Sequence, residues 1–316
     1  MTRIIAFLVA ALASTTPALA QWPERPVKVI VPYGAGGASD TMARTFAEVL
    51  STAFGKQFVI ENRPGGGSVT GSREAARSAP DGYTLALTGM STHVLAPAMN
   101  KNAGFDPVRD FTHIAYFGGA PNLFVVHPSF GSTNFRDFMR RAKAGEQIDY
   151  VSPGVGSVGN LVAEYLAAKE QLKLQHIPYK GGAEALLDLV AGHVKVGMMS
   201  ISTAREQVRA GKLVAIGISS PQRLADMPEV PTLAELGYPD LTATTWWALS
   251  APAGLPPAIV AAVNRAINAG LSSPAVQKQL AQDGAEARAM SPAELSEFMR
   301  AEVEKWAPIA GRVGGG

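Results

Sequence analysis

The 316-residue chain contains no cysteine, which removes disulfide frameworks, thiolate metal sites and cysteine nucleophiles together. It has no excess of charge, with 28 Lys and Arg against 26 Asp and Glu, and no basic run or stripe. Nucleic acid and membrane surfaces are therefore not expected partners. The five histidines (His93, His113, His127, His176, His193) show no metal-ligand spacing, and no H-E-x-x-H occurs. No metal or cofactor is expected. Long apolar runs are also scarce. The one that stands out, Ile4 to Ala13, is far short of the roughly 20 residues of a membrane span.

That run follows Arg3 and precedes Ala18-Leu19-Ala20, the layout of a secretory signal peptide over residues 1–20 with a mature start at Gln21. Removing Arg3 leaves 27 basic residues (28 − 1) against 26 acidic ones, so the exported protein is nearly neutral and any ligand is met locally. Without disulfides it must stand on its core alone. A 47% hydrophobic composition allows that, and the length suggests two domains.

What the sequence does have is alternation. Val27 to Val31 reads as a strand, Asp40 to Ala53 as a helix with Met42, Phe46, Val49 and Leu50 on one face. Gln57 to Glu61, Ser68 to Ser78 and Tyr83 to Thr88 continue as strand, helix and strand. Such a βαβαβ order requires a parallel sheet with right-handed crossovers. A second α/β unit begins at Leu123 to Val126 and runs through the strand Leu213 to Ile218. A proline-rich connection, a strand Thr245 to Ser250 and helical text from Pro256 follow.

Glycines cluster where strands run into helices: Gly34 to Gly37, Gly65 to Gly67, Gly154 to Gly159 and Gly181-Gly182. In open parallel sheets, ligands gather beyond those strand ends. Gly154-Val155-Gly156-Ser157-Val158-Gly159 matches G-x-G-x-x-G, but the acidic residue due about 20 positions later is missing. The opening loop has Ser39 where the third glycine belongs, no Gly-Lys-Ser/Thr occurs, and no nucleophile elbow is complete. What bare backbone at a helix start does without a catalyst is receive an anion, because first-turn N–H groups are unpaired and carry the positive end of the dipole. Gly34 to Ala38 is the main candidate, with Ser91, Thr92 and Ser157 adding hydroxyls from neighbouring strand ends. Asp40 reads as a cap for first-turn N–H groups. His93 follows the third strand and is a candidate to face the cleft.

Seven blocks carry a family resemblance. They are "VPYGAGGASDTMAR" (31–44), "ENRPGGGSVTG" (61–71), "PDGYTL" (80–85), "SPGVGSVGNL" (152–161), "PYKGGAEALLDLVAGHV" (178–194), "PTLAELGYP" (231–239) and "WWALSAPAGLP" (246–256). In this order they resemble the periplasmic solute receptors of the tripartite tricarboxylate transporter family, the Bug receptors, over the whole mature chain. The resemblance implies an α/β fold of two domains, the type II periplasmic binding protein or Venus flytrap, with the ligand cleft between them. It implies domain 1 from 21–122 plus 231–316, domain 2 from 123–230, and a monomer feeding a membrane permease or a sensor. Carried over residue by residue, the carboxylate site is Tyr33, Ala35, Gly36, Gly37, Ala38, Ser91, Thr92 and Ser157, with no catalytic residue.

The sequence departs from that family at three points. Tyr33 stands where Phe is common, Asn160 where His is common, and Met198-Met199-Ser200 where many relatives carry an Asp. The two methionines suggest a softer, more apolar wall, and at most one of Trp246 and Trp247 can face the cleft because strand neighbours alternate. An aromatic or dicarboxylic organic acid is the expected ligand. The alternative is an exported α/β enzyme, a hydrolase or transferase, acting on a small carboxylate. The expected export has a direct check. Mass spectrometry of the exported protein should give an N-terminus at Gln21, and an exported form that retains Arg3 would refute the assignment.

Overall fold

The computed structural model describes residues 22–179 and 181–313; the expected signal peptide lies outside the described residues. The chain runs β1 (Val27–Val31), α1 (Ala38–Phe54), β2 (Phe58–Asn62), α2 (Val69–Ala76) and β3 (Thr84–Gly89), then a π-helical segment Met90–Leu95 into the single turn α3 (Ala96–Met99). Next come β4 (Phe111–Val126), α4 (Phe135–Lys143), β5 (Ile148–Val151), α5 (Val158–Glu170), β6 (Leu174–Ile177), α6 (Gly182–Val190), β7 (Val196–Ser200), α7 (Ile201–Arg209) and β8 (Val214–Ile218). The chain ends with β9 (Thr244–Pro252), α8 (Pro257–Gly270), α9 (Pro274–Asp283) and α10 (Pro292–Val313).

The expected βαβαβ unit forms, and the second α/β unit contains another. β1 lies between β2 and β3, all parallel, and β5 lies between β6 and β7, all parallel. The apolar stripe read on α1 is real: Met42, Phe46 and Leu50 are fully buried, and the Phe46 ring stacks on Phe117 at 3.9 Å. Burying a side chain of that size stabilises by about 2–3 kcal/mol. Gly55, at φ +64, ends the helix by donating its N–H to the Ser51 carbonyl, a left-handed cap that suits glycine.

The central element is the one the sequence understated. The expected strand Leu123–Val126 is the last part of the 16-residue β4. Its first half pairs with β9 and its second half with β7 and β8. Gly118, Gly119 and Pro121 disguise it by breaking the apolar alternation. The glycines are there for close approach, since a Cβ on Gly118 would lie 2.9 Å from Leu280 and one on Gly119 2.6 Å from the Tyr116 hydroxyl. The π-helical segment and α3 also escaped the sequence reading.

Residues 231–243, expected with the first domain, make several contacts with residues expected in the second, beside one from Lys305 of α10 to the Thr242 carbonyl at 3.2 Å. The Tyr238 hydroxyl donates to Glu170 at 3.0 Å, Lys169 reaches Asp240 at 3.0 Å, and the Tyr238 ring packs on Phe135 at 5.6 Å. The three C-terminal helices return to cover β4, α1 and the π-helical segment. No helix among the described residues is long and apolar enough to cross a membrane.

A buried polar chain crosses the sheet beside β3. The Thr88 and Ser250 hydroxyls are 2.9 Å apart, and Ser250 meets His113 Nδ1 at 3.0 Å. His93, expected near the cleft, points the other way: it is fully buried, with its ring 4.4 Å from that of Phe111. Burial pushes His113 down to about 4, and burial with His113 nearby pushes His93 well below the ordinary value. Both imidazoles are neutral in the fold but charge once unfolded, so below pH 6.5 the unfolded chain binds more protons and stability falls with pH. His113 alone should cost about 2 kcal/mol between pH 7.5 and 5. Urea titrations across that range should show the loss in the native chain and a shallower one in His113→Asn. A flat native profile would overturn the argument.

Candidate functional site

The strand register places the cleft. Gly89, the last residue of β3, lies opposite Trp247 of β9, which lies opposite Gly118 of β4. Ser200, the last residue of β7, lies opposite Asn122 of β4. At roughly 3.3 Å per residue, Gly118 and Asn122 are about 13 Å apart. β3 from one side and β7 from the other therefore end over the same short stretch of β4, with β1 and β5 ending a few residues earlier in the register. The loops following all four strands converge there.

On the first side, β1 runs through Pro32 into the exposed loop Gly34–Gly37 and then into α1. The expected cap is placed differently from the sequence reading. Asp40, third residue of α1 and only 3% exposed, reaches back to accept the Gly36 N–H at 2.9 Å. It also accepts Arg44 Nε at 2.9 Å and Asn62 Nδ2 at 2.9 Å, and Asn62 donates in addition to the Tyr33 carbonyl. Burial opposes ionising Asp40, but the bonds from Arg44, Gly36 and Asn62 outweigh it and hold the carboxyl below its ordinary range. Gly36 is thus spent as a donor and serves by its φ of +87. Gly37, Ala38 and Ser39 keep the free first-turn N–H groups.

The second side repeats the device. β5 leads through Gly154–Gly156 into α5, and Asn160, third residue of that helix, accepts the Gly156 N–H at 3.2 Å. Asn160 is in turn held by Nδ2 donating to the Tyr150 hydroxyl at 2.8 Å. Ser157 caps α5, its Oγ accepting the Asn160 N–H at 3.2 Å and donating to Ser152 Oγ at 3.3 Å. The two sides meet near α3, where a Cβ on Gly156 would come 3.9 Å from Met99 Sδ. The G-x-G-x-x-G pattern has its own explanation: a Cβ on Gly159 would lie 2.3 Å from the Met198 carbonyl, so this glycine lets α5 lie against β7.

The remaining expected residues divide. Tyr33 and Ser91 come together with Ser68; burial pushes the Tyr33 phenol up to about 12 while those two hydroxyls oppose the shift. The phenol stays a neutral donor at physiological pH. Thr92 is not at the cleft: it is buried, with its hydroxyl donating to the Gly89 carbonyl at 3.2 Å and lying 2.9 Å from His93 Nδ1. Met198 and Met199 are both fully buried and fill core on opposite faces of β7, so the softer wall does not exist. Of the tryptophans, Trp247 turns to the site and donates from its indole to Ser39 Oγ at 2.9 Å; Trp246 bonds Glu302 on the other face. Where an acid was absent, Ser200 presents a hydroxyl 2.7 Å from that of Thr203.

Sequence reasoning missed Asn62, Ser152 and His176, and noted Asn160 only as a departure from the family without giving it a role. The signal for Asn160 was present as a repeated spacing, Gly36 to Asp40 and Gly156 to Asn160. Ser152 Oγ lies 2.8 Å from His176 Nε2, a nucleophile-to-base distance. Ser152 is fully buried, though, and bonded to the loop's own backbone at Gly154. No group of three or more metal-ligating side chains exists among the described residues.

Residues 42–314 match the sequence profile described as tripartite tricarboxylate transporter family receptor. The chain belongs to this family. BugT of Bordetella pertussis is 32% identical over 99% of this chain and 98% of its own. Among solved structures, an R. palustris protein with adipate superposes with a TM-score of 0.83 at 30% identity, covering 93% of this chain and 98% of that one. MatC from Rhodopseudomonas palustris with bound malate gives 0.83 at 29% identity, covering 92% and 100%. The receptor has the two-domain type II binding-protein fold, and its family and neighbours are solute-binding receptors rather than enzymes.

The clamp at Asp40 can be tested apart from any ligand. Asp40→Ala removes the acceptor of three hydrogen bonds and should destabilise the receptor by about 2–4 kcal/mol, with Asp40→Asn costing less. Urea midpoints measure this, and an unchanged midpoint for Asp40→Ala would show that the loop is held by something else.

Proposed function

We propose that this receptor captures a small organic carboxylate in the cleft and delivers it to the membrane permease of a tripartite tricarboxylate transporter system. The observation that carries this reading is the matched pair of loops. Each presents a helix N-terminus with one glycine N–H tied back, at Asp40 and at Asn160, and leaves first-turn donors to a ligand, although in the second loop the Ser157 N–H is bonded to the Gly154 carbonyl and the Asn160 N–H to Ser157 Oγ. The contact residues are Tyr33, Ala35, Gly37, Ala38, Ser91 and Ser157, with Gly36 shaping the loop. Adipate and malate in two structural relatives support the ligand class.

Two loops of the same kind favour a dicarboxylate, one carboxylate to each lobe. An aromatic acid is less favoured than the sequence suggested, because both methionines and both tryptophans are buried. Ser200 stands where an acid would hold an ammonium, so an amino acid is disfavoured. The lobes are residues 21–122 with 244–316, and 123–243, hinged on β4 and on the return through Ser219 and Ala243. The receptor works as an exported monomer in the periplasm; two structural relatives are described as periplasmic proteins.

A thermal-shift screen over mono-, di- and tricarboxylates, malate and adipate included, identifies the ligand. The loop is then tested at Gly37. Its φ of −85 and the open space around an added Cβ let Gly37→Val fold, whereas Gly36 at φ +87 resists any side chain. Gly37→Val should weaken the best ligand at least tenfold, the loss of one or two charge-assisted hydrogen bonds, with native circular dichroism. Unaltered affinity, or turnover of the ligand, would refute the proposal.

A further inference from the structure

Ser157, the cleft hydroxyl of the second lobe, ends a short chain of polar groups that leads away from the ligand to a histidine. Its Oγ is 3.3 Å from Ser152 Oγ, and Ser152 Oγ is 2.8 Å from His176 Nε2 at the carboxyl end of β6. Ser152 is fully buried and has two further contacts, the Gly154 carbonyl at 3.1 Å and the Gly154 N–H at 3.2 Å. A serine hydroxyl has one proton to give and two lone pairs to receive with. Four neighbours compete for three places, so the arrangement has two self-consistent states.

In the first, Ser152 donates to an unprotonated His176 Nε2 and accepts from the Gly154 N–H and the Ser157 hydroxyl. Every place is filled, and the Ser157 proton is spent inside the loop. In the second, His176 Nε2 carries a proton and donates it to Ser152. Ser152 then donates to the Gly154 carbonyl and accepts from Gly154 N–H and from His176. No lone pair remains for Ser157, which still accepts the Asn160 N–H and must send its own proton toward the cleft.

We infer that His176 positions the Ser157 hydroxyl through Ser152, so that a proton taken up by His176 turns Ser157 into a donor for the ligand carboxylate. This rests on the reading of the cleft as a carboxylate site with Ser157 in it. His176 is half-buried, its ring 5.0 Å from that of Tyr150 on β5. Burial lowers its proton affinity, and the Glu164 carboxylate on α5, itself bonded to the Tyr150 hydroxyl, opposes that. The first state therefore holds at neutrality and above, and the second is reached only as pH falls below the ordinary imidazole range. Carboxylate binding and proton uptake at His176 are coupled reciprocally.

The test has two arms. In the ligand-free receptor, imidazole nitrogen NMR should show His176 with Nε2 unprotonated at pH 8, and Ser152→Ala should move the neutral ring toward the Nε2–H tautomer. In the second arm, affinity for malate and adipate is measured by calorimetry from pH 8 to pH 5.5. The native receptor should bind three- to tenfold tighter at pH 5.5, the effect of one gained hydrogen bond. Ser152→Ala should lose the pH dependence and bind at pH 8 about as the native receptor does at pH 5.5. A Ser152 with only a structural role would lower affinity without flattening the profile, which would overturn the inference. A protonated Nε2 in the free receptor at pH 8 would overturn it as well. If neither probe binds at any pH, the carboxylate reading fails for these acids, and the NMR arm still decides the hydroxyl chain.

Discussion

The receptor depends on one continuous backbone ladder. β4 lends its first half to β9 and its second half to β7 and β8, so both lobes share a single strand. Backbone N–H and C=O groups buried in a sheet must be paired, which fixes the register of each lobe against the same ruler. Because that register is fixed, the ends of β3 and β7 meet over Gly118 to Asn122, with β1 and β5 ending beside them a few residues earlier. The binding loops have no other route to a common place.

Within each lobe the loops obey a second economy. A helix start exposes several unpaired N–H groups, and an exposed glycine loop has no side chains to hold it in shape. Asp40 and Asn160 solve both problems alike, each tying one glycine N–H back to the third helical residue. The chemistries differ. Asp40 is a charge paired with Arg44 and hydrogen-bonded by Asn62, whereas Asn160 is a neutral amide handed on to Tyr150 and Glu164. A full negative charge is thus fixed beside the first loop, where it is buried and paired, and a neutral clamp lies beside the second.

The titratable groups fall into two populations. His93 and His113 lie in the dry layer between β3, β4 and β9, held neutral by burial and linked to hydroxyls at their Nδ1 atoms. They act on stability. His176 lies at the end of β6 and reaches the second loop at Ser152. Sequence position did not separate them, since all three stand near strand ends; depth in the fold did.

The sequence by itself determined the βαβαβ units, the glycine loops at strand ends, the helix stripes and the family. Those features rest on spacings of two to four residues, which sequence displays directly. The tertiary structure alone decided β4, whose glycines answer to the distant C-terminal segment, and the allegiance of residues 231–243. It also decided which of the expected donors remain available: Gly36 is spent on Asp40 and Thr92 on Gly89, while Trp247 rather than Trp246 reaches the site across 208 residues of sequence to Ser39. A hydrogen bond is a contest among all groups within about 3 Å, and most contestants come from elsewhere in the chain. Local pattern names the candidates; only the packed fold allots the partners.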